Sequence, residues 1–343
     1  MSKNDFSAAI FGCSGTVLTD EEKRFFEGVR PAGFILFARN VDTPEQTAAL
    51  VRSLRETTGN ADAPVLIDQE GGRVQRLTEP YWKKRPAWNR FEKIYRDNAD
   101  TGAEAAYLNA RYIGTTLSAL GINVDCLPLL DVPVAGANDI IGDRAFGKDV
   151  DIVSDLGAAV IEGLSDAGVM PIIKHIPGHG RATADSHLEL PVVDTDLATL
   201  EKTDFVPFKR LSSALWAMTA HVMYTAIDAE NPASLSQKVI GDVIRGFIGF
   251  DGFLICDDLS MKALKGDFAS LTKRALAAGC DAVLHCNGNM DEMRAVASAL
   301  PALTDKSAER LSVSFEKLKK TAQRASVKDP EKMLARVDGL LGA

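Results

Sequence analysis

Gly252-Phe253-Leu254-Ile255-Cys256-Asp257-Asp258-Leu259 carries an apolar run straight into two adjacent carboxylates. A short run that is apolar almost throughout suits a strand buried on both faces, the strand type of a parallel sheet. Seven more such runs recur, at Ala8 to Gly12, Gly33 to Ala38, Pro64 to Glu70, Ile122 to Pro128, Val169 to Ile176, Leu215 to Val222 and Asp281 to Cys286. Segments with helical spacing separate them. Thr43-Pro44-Glu45-Gln46 offers an N-cap, a proline at the first helical position and a capping box, and Ala48, Leu50, Val51 and Leu54 follow before Gly59 stops the helix. Ser236 likewise precedes Val239, Ile240, Val243, Ile244 and Phe247, a stripe that should pack on the outside of a sheet. Eight strand-helix alternations predict an α/β fold, a single-domain (β/α)8 TIM-type barrel spanning residues 1–343, with a doubly wound open sheet as the competitor.

The rest of the chain fits that frame. No GxGxxG follows the first strand, and Gly12-Cys13-Ser14-Gly15 lacks a P-loop Lys-Ser/Thr, so a nucleotide site has little support. Glu79 to Trp88, rich in proline and tryptophan, reads as a long loop, and the segment from about 303 to 343 as one or two amphipathic closing helices. The 343 residues are 46% hydrophobic and 25% charged, which excludes a disordered or fibrous chain. A net charge of −8 has the wrong sign for a nucleic-acid or anionic-lipid binder. No stretch reaches the roughly 20 apolar residues of a membrane span, and the start lacks a secretory pattern, so the expected compartment is the cytoplasm. Five scattered cysteines, an odd number without CxxC spacing, read as reduced thiols, mostly buried.

In a barrel the chemistry collects where strands end. Strand three ends in Asp68-Gln69-Glu70-Gly71-Gly72-Arg73-Val74-Gln75-Arg76, strand four in Asp131, strand five in Lys174-His175, strand six in His221 and strand seven in Asp257-Asp258. The densest stretch, Lys174 to His187, holds three of the five histidines. One reading is a metal site built from His175, His179, Asp185 and His187, the basis of a metal-dependent hydrolase, although a Pro-Gly loop lacks the fixed geometry of a helical HExxH pair. A second is a mobile acid/base loop in which Asp185 orients His187. The third is a loop whose histidines only satisfy backbone groups. Adjacent strand residues face opposite ways, so Asp257 and Asp258 cannot share a role: one faces the barrel mouth and the other is free to cap the following helix. Cys256, at the end of an apolar strand beside two carboxylates, should have a raised pKa and is a poor nucleophile.

Ile67-Asp68-Gln69-Glu70-Gly71-Gly72-Arg73-Val74, Lys174 to Gly180 with Asp185-Ser186-His187, and Asp257-Asp258-Leu259-Ser260-Met261 resemble the β-N-acetylhexosaminidases of glycoside hydrolase family 3. The compact length resembles the single-domain form that recycles peptidoglycan. That resemblance implies a retaining β-N-acetylglucosaminidase acting on muropeptide sugars, with Asp257 as nucleophile, His187 as acid/base and Asp185 as its orienting partner. It also implies sugar contacts from Asp68, Arg76, Arg144, Lys174 and His175. Ile176 stands where the family usually has an aromatic residue, and Cys256 where serine or threonine is commoner. The expected partner is a small sugar or muropeptide, with no metal, cofactor, nucleic acid, membrane or protein partner. A non-catalytic sugar-binding protein is the non-enzyme alternative, and phosphate could replace water as acceptor. The Gly/Pro-bounded loop around His187 is expected to swing in over the sugar.

Overall fold

Eight strands close on one another in the computed structural model, which describes residues 6–186, 188–326 and 329–342. They are β1 (Ser7–Gly12), β2 (Pro31–Leu36), β3 (Val65–Ile67), β4 (Val124–Asp125), β5 (Met170–Ile176), β6 (Trp216–Thr219), β7 (Phe253–Asp258) and β8 (Ala282–His285). Each pairs in parallel with its neighbours in sequence, and β1 closes the barrel against β8 through Ala9–Val283, Ile10–Leu284 and Phe11–His285. The predicted TIM-type barrel is therefore what forms, and all eight runs contribute a strand. The runs were apolar throughout because helices cover one face and the packed interior the other, as in β2, where all six residues are buried.

The third and fourth strands are shorter than their apolar runs. Gln69 N donates to the side-chain Oδ1 of Asp125 (3.0 Å) instead of to a neighbouring carbonyl, which ends the ladder where the site begins. A small parallel pair, Val192–Val193 with Met223–Tyr224, ties the long loop after β5 to the loop after β6.

Capping accounts for most helix boundaries. Thr43 Oγ1 accepts from Gln46 N (3.2 Å), Pro44 opens the helix Pro44–Thr58, and Gly59 ends it at φ 64°. The capping box expected there is only half formed, because Gln46 Oε1 accepts from Asp42 N and its amide donates to the Thr16 and Asn40 carbonyls. Those carbonyls belong to the loop after β1 and the turn after β2, so the side chain ties three segments instead of one helix end. A reciprocal box does form at Thr19 and Glu22. Ser236 Oγ accepts from Val239 N (3.1 Å), yet the following helix, Val239–Phe247, is π-wound, with Ile248 N bonded to Val243 O. The wide winding keeps Val239, Ile240, Val243 and Ile244 on the buried side.

The predicted closing segment contains two helices, Asp305–Arg324 and Pro330–Leu341. The first is fastened to β6 by Trp216 Nε1, which donates to Ser314 Oγ (2.9 Å), and by the edge-on packing of Trp216 against Phe315. The second buries Met333, Leu334 and Val337 and reaches the Glu79–Trp88 loop, where Arg85 pairs with Asp338 (3.3 Å). All five cysteines are free and buried. Among the described residues no helix is long and apolar enough to cross a membrane.

Gly180 fixes where the loop after β5 leaves the barrel. A Cβ there would stand 2.1 Å from the Val132 carbonyl oxygen, and Gly180 O accepts from Val134 N. Gly180→Ala should therefore cost about 1–3 kcal/mol, the usual range for overpacking against an unyielding neighbour, measured as a lower urea midpoint.

Candidate active site

The C-terminal strand ends surround a cavity of about 380 Å³ that takes in Asp68, Arg76, Arg144, Lys174, His175 and Asp257 together. Just past the end of β3, Asp68 and Glu70 both meet Lys174 from β5. Lys174 Nζ lies 2.9 Å from Asp68 Oδ1 and 2.7 Å from Glu70 Oε1, with only 2% of its side chain exposed. Arg76 Nη2 reaches Asp68 Oδ2 (3.2 Å), and Arg144 grips Glu70 with two bonds of 2.8 Å. Burial works against the Lys174 ammonium, but Asp68 and Glu70 outweigh it and hold the group above the ordinary lysine range. Burial also pushes the Asp68 and Glu70 carboxyls up, and the cations beside them reverse that and keep both well ionised. The result is a rigid rim of charged groups with donors to spare: Lys174 retains one N–H and Arg144 two for a ligand hydroxyl.

On the side of β4, Asp131 is fully buried and accepts from His175 Nδ1 (2.8 Å), His175 N (3.2 Å) and His179 N (2.6 Å). The Nδ1–H···carboxylate bond fixes the His175 tautomer and leaves its other nitrogen for the cavity. Burial and the neighbouring His175 push His179 down to about 4, so its ring is neutral at pH 7. His179 Nε2 sits 3.3 Å from Ser186 Oγ, and Ser186 O accepts from Ala263 N (3.2 Å), so the histidine-rich loop is docked between β5 and the segment after β7. Asp185 lies half-buried on this loop, beside Ser186, and His187 lies outside the described residues.

Asp257 and Asp258 end β7, and the structure separates them as alternation requires. Asp258 is consumed by structure: its carboxylate accepts from Ser260 N (3.0 Å), Ser260 Oγ (2.6 Å) and Cys286 N (3.1 Å). It caps a turn and not the following helix, Phe268–Ala278, which Asp267 caps. Asp257 keeps its carboxylate in the cavity, bonded only to Asp258 N (2.8 Å) among the described partners. Burial alone would raise its pKa; His221 and His175 outweigh burial and hold it below the ordinary carboxylate range. His221 is itself fixed by the Asp258 carbonyl (3.0 Å) and Ser234 Oγ (2.6 Å). Cys256, fully buried behind the pair, has its thiol pushed well up by that burial.

Asp125 is the exception among these carboxyls. It is fully buried, its Oδ2 has no partner among the described residues, and burial raises it well above the carboxylate range. A carboxyl raised in the fold stabilises fully below its unfolded pKa, about 4, and that contribution is lost as pH rises through the folded value. Asp125→Asn should therefore raise the urea midpoint at pH 7, and the gain should shrink toward pH 4. Asp68, Glu70, Asp131 and Asp257 have the opposite sign: what they contribute is present above about pH 4 and lost on further acidification.

Among the described residues no three His, Cys, Asp or Glu side chains gather to hold a metal ion. The arrangement is an ionised carboxylate facing a space lined by cations that keep free N–H donors and by an oriented imidazole. Comparison with known proteins agrees with that chemistry. Residues 16–324 match the model of the glycosyl hydrolase family 3 N terminal domain. The chain belongs to glycosyl hydrolase family 3. A beta-hexosaminidase of Idiomarina loihiensis is 36% identical over 321 residues, covering 90% of this chain and 94% of its own. One from Thiobacillus denitrificans is 38% identical over 280 residues, 80% of this chain and 76% of its own. Native NagZ from Neisseria gonorrhoeae superposes with a TM-score of 0.86 at 31% identity, covering 98% of both chains. The same protein in complex with N-trifluoroacetyl-D-glucosamine gives 0.87. The chain is thus a family 3 glycoside hydrolase of the β-N-acetylhexosaminidase type.

Within this family 3 site, the sequence gives no specific role to Glu70, Asp131 or His221, and it offers His179 only as a metal ligand. Glu70 carried a signal: it stands two residues after Asp68 in the apolar run that predicts the third strand, where alternation turns both side chains the same way. Asp131 is met by His175 on β5 and His179 just beyond it, and His221 by the Asp258 carbonyl at the end of β7 and by Ser234, contacts that nothing local in the sequence announces.

Proposed function

We propose that this enzyme is a retaining β-N-acetylglucosaminidase that removes terminal β-linked N-acetylglucosamine from muropeptide sugars in two displacements. Asp257 attacks the anomeric carbon while the bond to the leaving oxygen breaks, and His187, oriented by Asp185, gives that oxygen its proton. His187 then takes a proton from water as the water attacks the same carbon, and the Asp257 carboxylate is released. Asp68, Arg76, Arg144, Lys174 and His175 bind the ring, Lys174 and Arg144 through their remaining donors. We place the reaction in cytoplasmic peptidoglycan recycling, with residues 1–343 acting as one catalytic domain and the histidine loop closing over the bound sugar.

The observation that carries this reading is the single unspent carboxylate among the described residues that line the cavity. Asp257 is ionised and faces the cavity, whereas Asp68, Glu70, Asp131 and Asp258 are each held by two or more protein donors. Release of nitrophenol from the β-N-acetylglucosaminide and from the plain β-glucoside, in buffer with EDTA, tests it. Cleavage of the acetamido sugar alone, unaffected by chelation, is expected. Activity lost to EDTA and restored by a metal would favour a metal-dependent hydrolase, and binding without turnover a sugar-binding protein.

A further inference from the structure

His221 follows β6 and reaches the strand that carries the nucleophile, yet the proposed mechanism gives it no role. The side chain is fully buried and stands outside the lining of the sugar cavity, so it does not touch a sugar bound there. Its Nε2 meets the Asp258 carbonyl oxygen (3.0 Å), and its Nδ1 meets Ser234 Oγ (2.6 Å) in the short 3-10 turn Ala233–Leu235. A carbonyl oxygen only accepts, so Nε2 carries a proton and donates it.

What this bond holds is the backbone that aims Asp257. Among the described residues the Asp257 carboxylate takes its one hydrogen bond from Asp258 N (2.8 Å), so the backbone of residue 258 sets its direction. Toward β8 that backbone is well fastened: Asp258 pairs with Leu284, Leu259 N donates to Leu284 O (2.9 Å) and Cys286 N to Asp258 Oδ1 (3.1 Å). Toward β6 the ladder pairs only as far as Met218–Ile255, short of both carboxylates. Beyond that point His221 supplies the one hydrogen bond, among the described residues, from β6 or its following loop to the end of β7. Met261 N shares the Asp258 carbonyl (3.1 Å), but it belongs to the same turn and cannot fix the strand end against β6.

We infer that His221 is a positioning residue for the nucleophile: its Nε2–H ties the end of β7 to β6 and keeps the Asp257 carboxylate aimed at the anomeric carbon, while Ser234 holds the ring. The inference rests on the proposed glycosidase reading. Attack on carbon depends steeply on aim, and a misplacement of about 1 Å costs on the order of 10²-fold in rate. Affinity for the sugar does not pass through this bond, because in that reading it comes from Asp68, Arg76, Arg144, Lys174 and His175.

Two polar substitutions separate this role from simple packing. In His221→Gln the amide nitrogen stands where Nε2 stood and still donates to the Asp258 carbonyl; in His221→Asn the shorter amide reaches Ser234 but not Asp258. Two rates are read: kcat for an activated β-N-acetylglucosaminide, and labelling of Asp257 by a slow fluorinated N-acetylglucosaminyl substrate. Both should fall by about 10²-fold in His221→Asn and stay within about fivefold of wild type in His221→Gln. The inhibition constant of free N-acetylglucosamine should move by less than about twofold in either variant, since only aim is lost. A packing role would instead lower the melting temperature of both alike and leave kcat of the folded enzyme unchanged. Wild-type kcat in His221→Asn, or an equal fall in the two variants, would overturn the inference and leave the glycosidase reading intact. Should His221→Asn fail to fold, Ser234→Ala decides, because it leaves Nδ1 without its partner: a fall of about fivefold in kcat at an unchanged inhibition constant is expected, and wild-type kcat would overturn the role. Absence of both turnover and labelling in the wild type would overturn the glycosidase reading, and the inference with it.

Discussion

Asp257→Ala should lower kcat/KM for an activated β-N-acetylglucosaminide by at least about 10⁴-fold, within the range seen when a nucleophile is deleted from a working constellation. The protein should remain folded, because among the described residues the only donor to this carboxylate is the neighbouring Asp258 amide, which water can replace. Chemical rescue separates this loss from a structural one. With the carboxylate gone, azide has room to attack the anomeric carbon directly, and a single displacement yields the α-glycosyl azide, opposite in configuration to the normal product. Asp258→Ala is the contrasting variant. It should lose activity through instability, since it strands the Ser260 and Cys286 amides, and azide should not restore it.

Lys174→Met should be the most destabilising single change in the site, by about 3–5 kcal/mol, the usual cost of removing one partner from a buried ion pair. Methionine fills much of the volume but leaves Asp68 and Glu70 facing each other with one cation fewer, and Glu70 is fully buried. Part of the loss should be recovered in Lys174→Met/Glu70→Gln, because the double change removes a charge of each sign. A urea titration at pH 7 reads both variants. The Lys174→Met deficit should narrow below about pH 4, where the stranded carboxyls take up protons as the chain unfolds and in the fold alike.

These two residues also mark how far the sequence alone reaches. The barrel was legible because helix-covered parallel strands are buried on both faces, so their apolar runs stand out between capped helices. Asp68, Lys174, His175 and Asp257 were legible because each ends such a run. Their connections were not: Lys174 and Asp68 are 106 residues apart and meet only when β3 and β5 stand two strands apart in a closed barrel. Glu70 was half legible, placed on the correct face by alternation but without a partner. The role of Asp258 depended on a turn, not on the helix, and the π winding of Val239–Phe247 leaves no trace in a stripe that reads equally well as α. Gln46 shows the same limit at small scale, for a local capping pattern gave way to acceptors on two other segments.

In the proposed mechanism Asp257 carries the sugar covalently. A slow fluorinated N-acetylglucosaminyl substrate with a good leaving group, incubated with wild-type enzyme and followed by digestion and mass analysis, tests it most directly. One added sugar is expected on the peptide containing Asp257, with activity lost in step with labelling and recovered as the label hydrolyses. Labelling of any other residue, or steady turnover with no labelled peptide while a bicyclic sugar intermediate accumulates in solution, would contradict it.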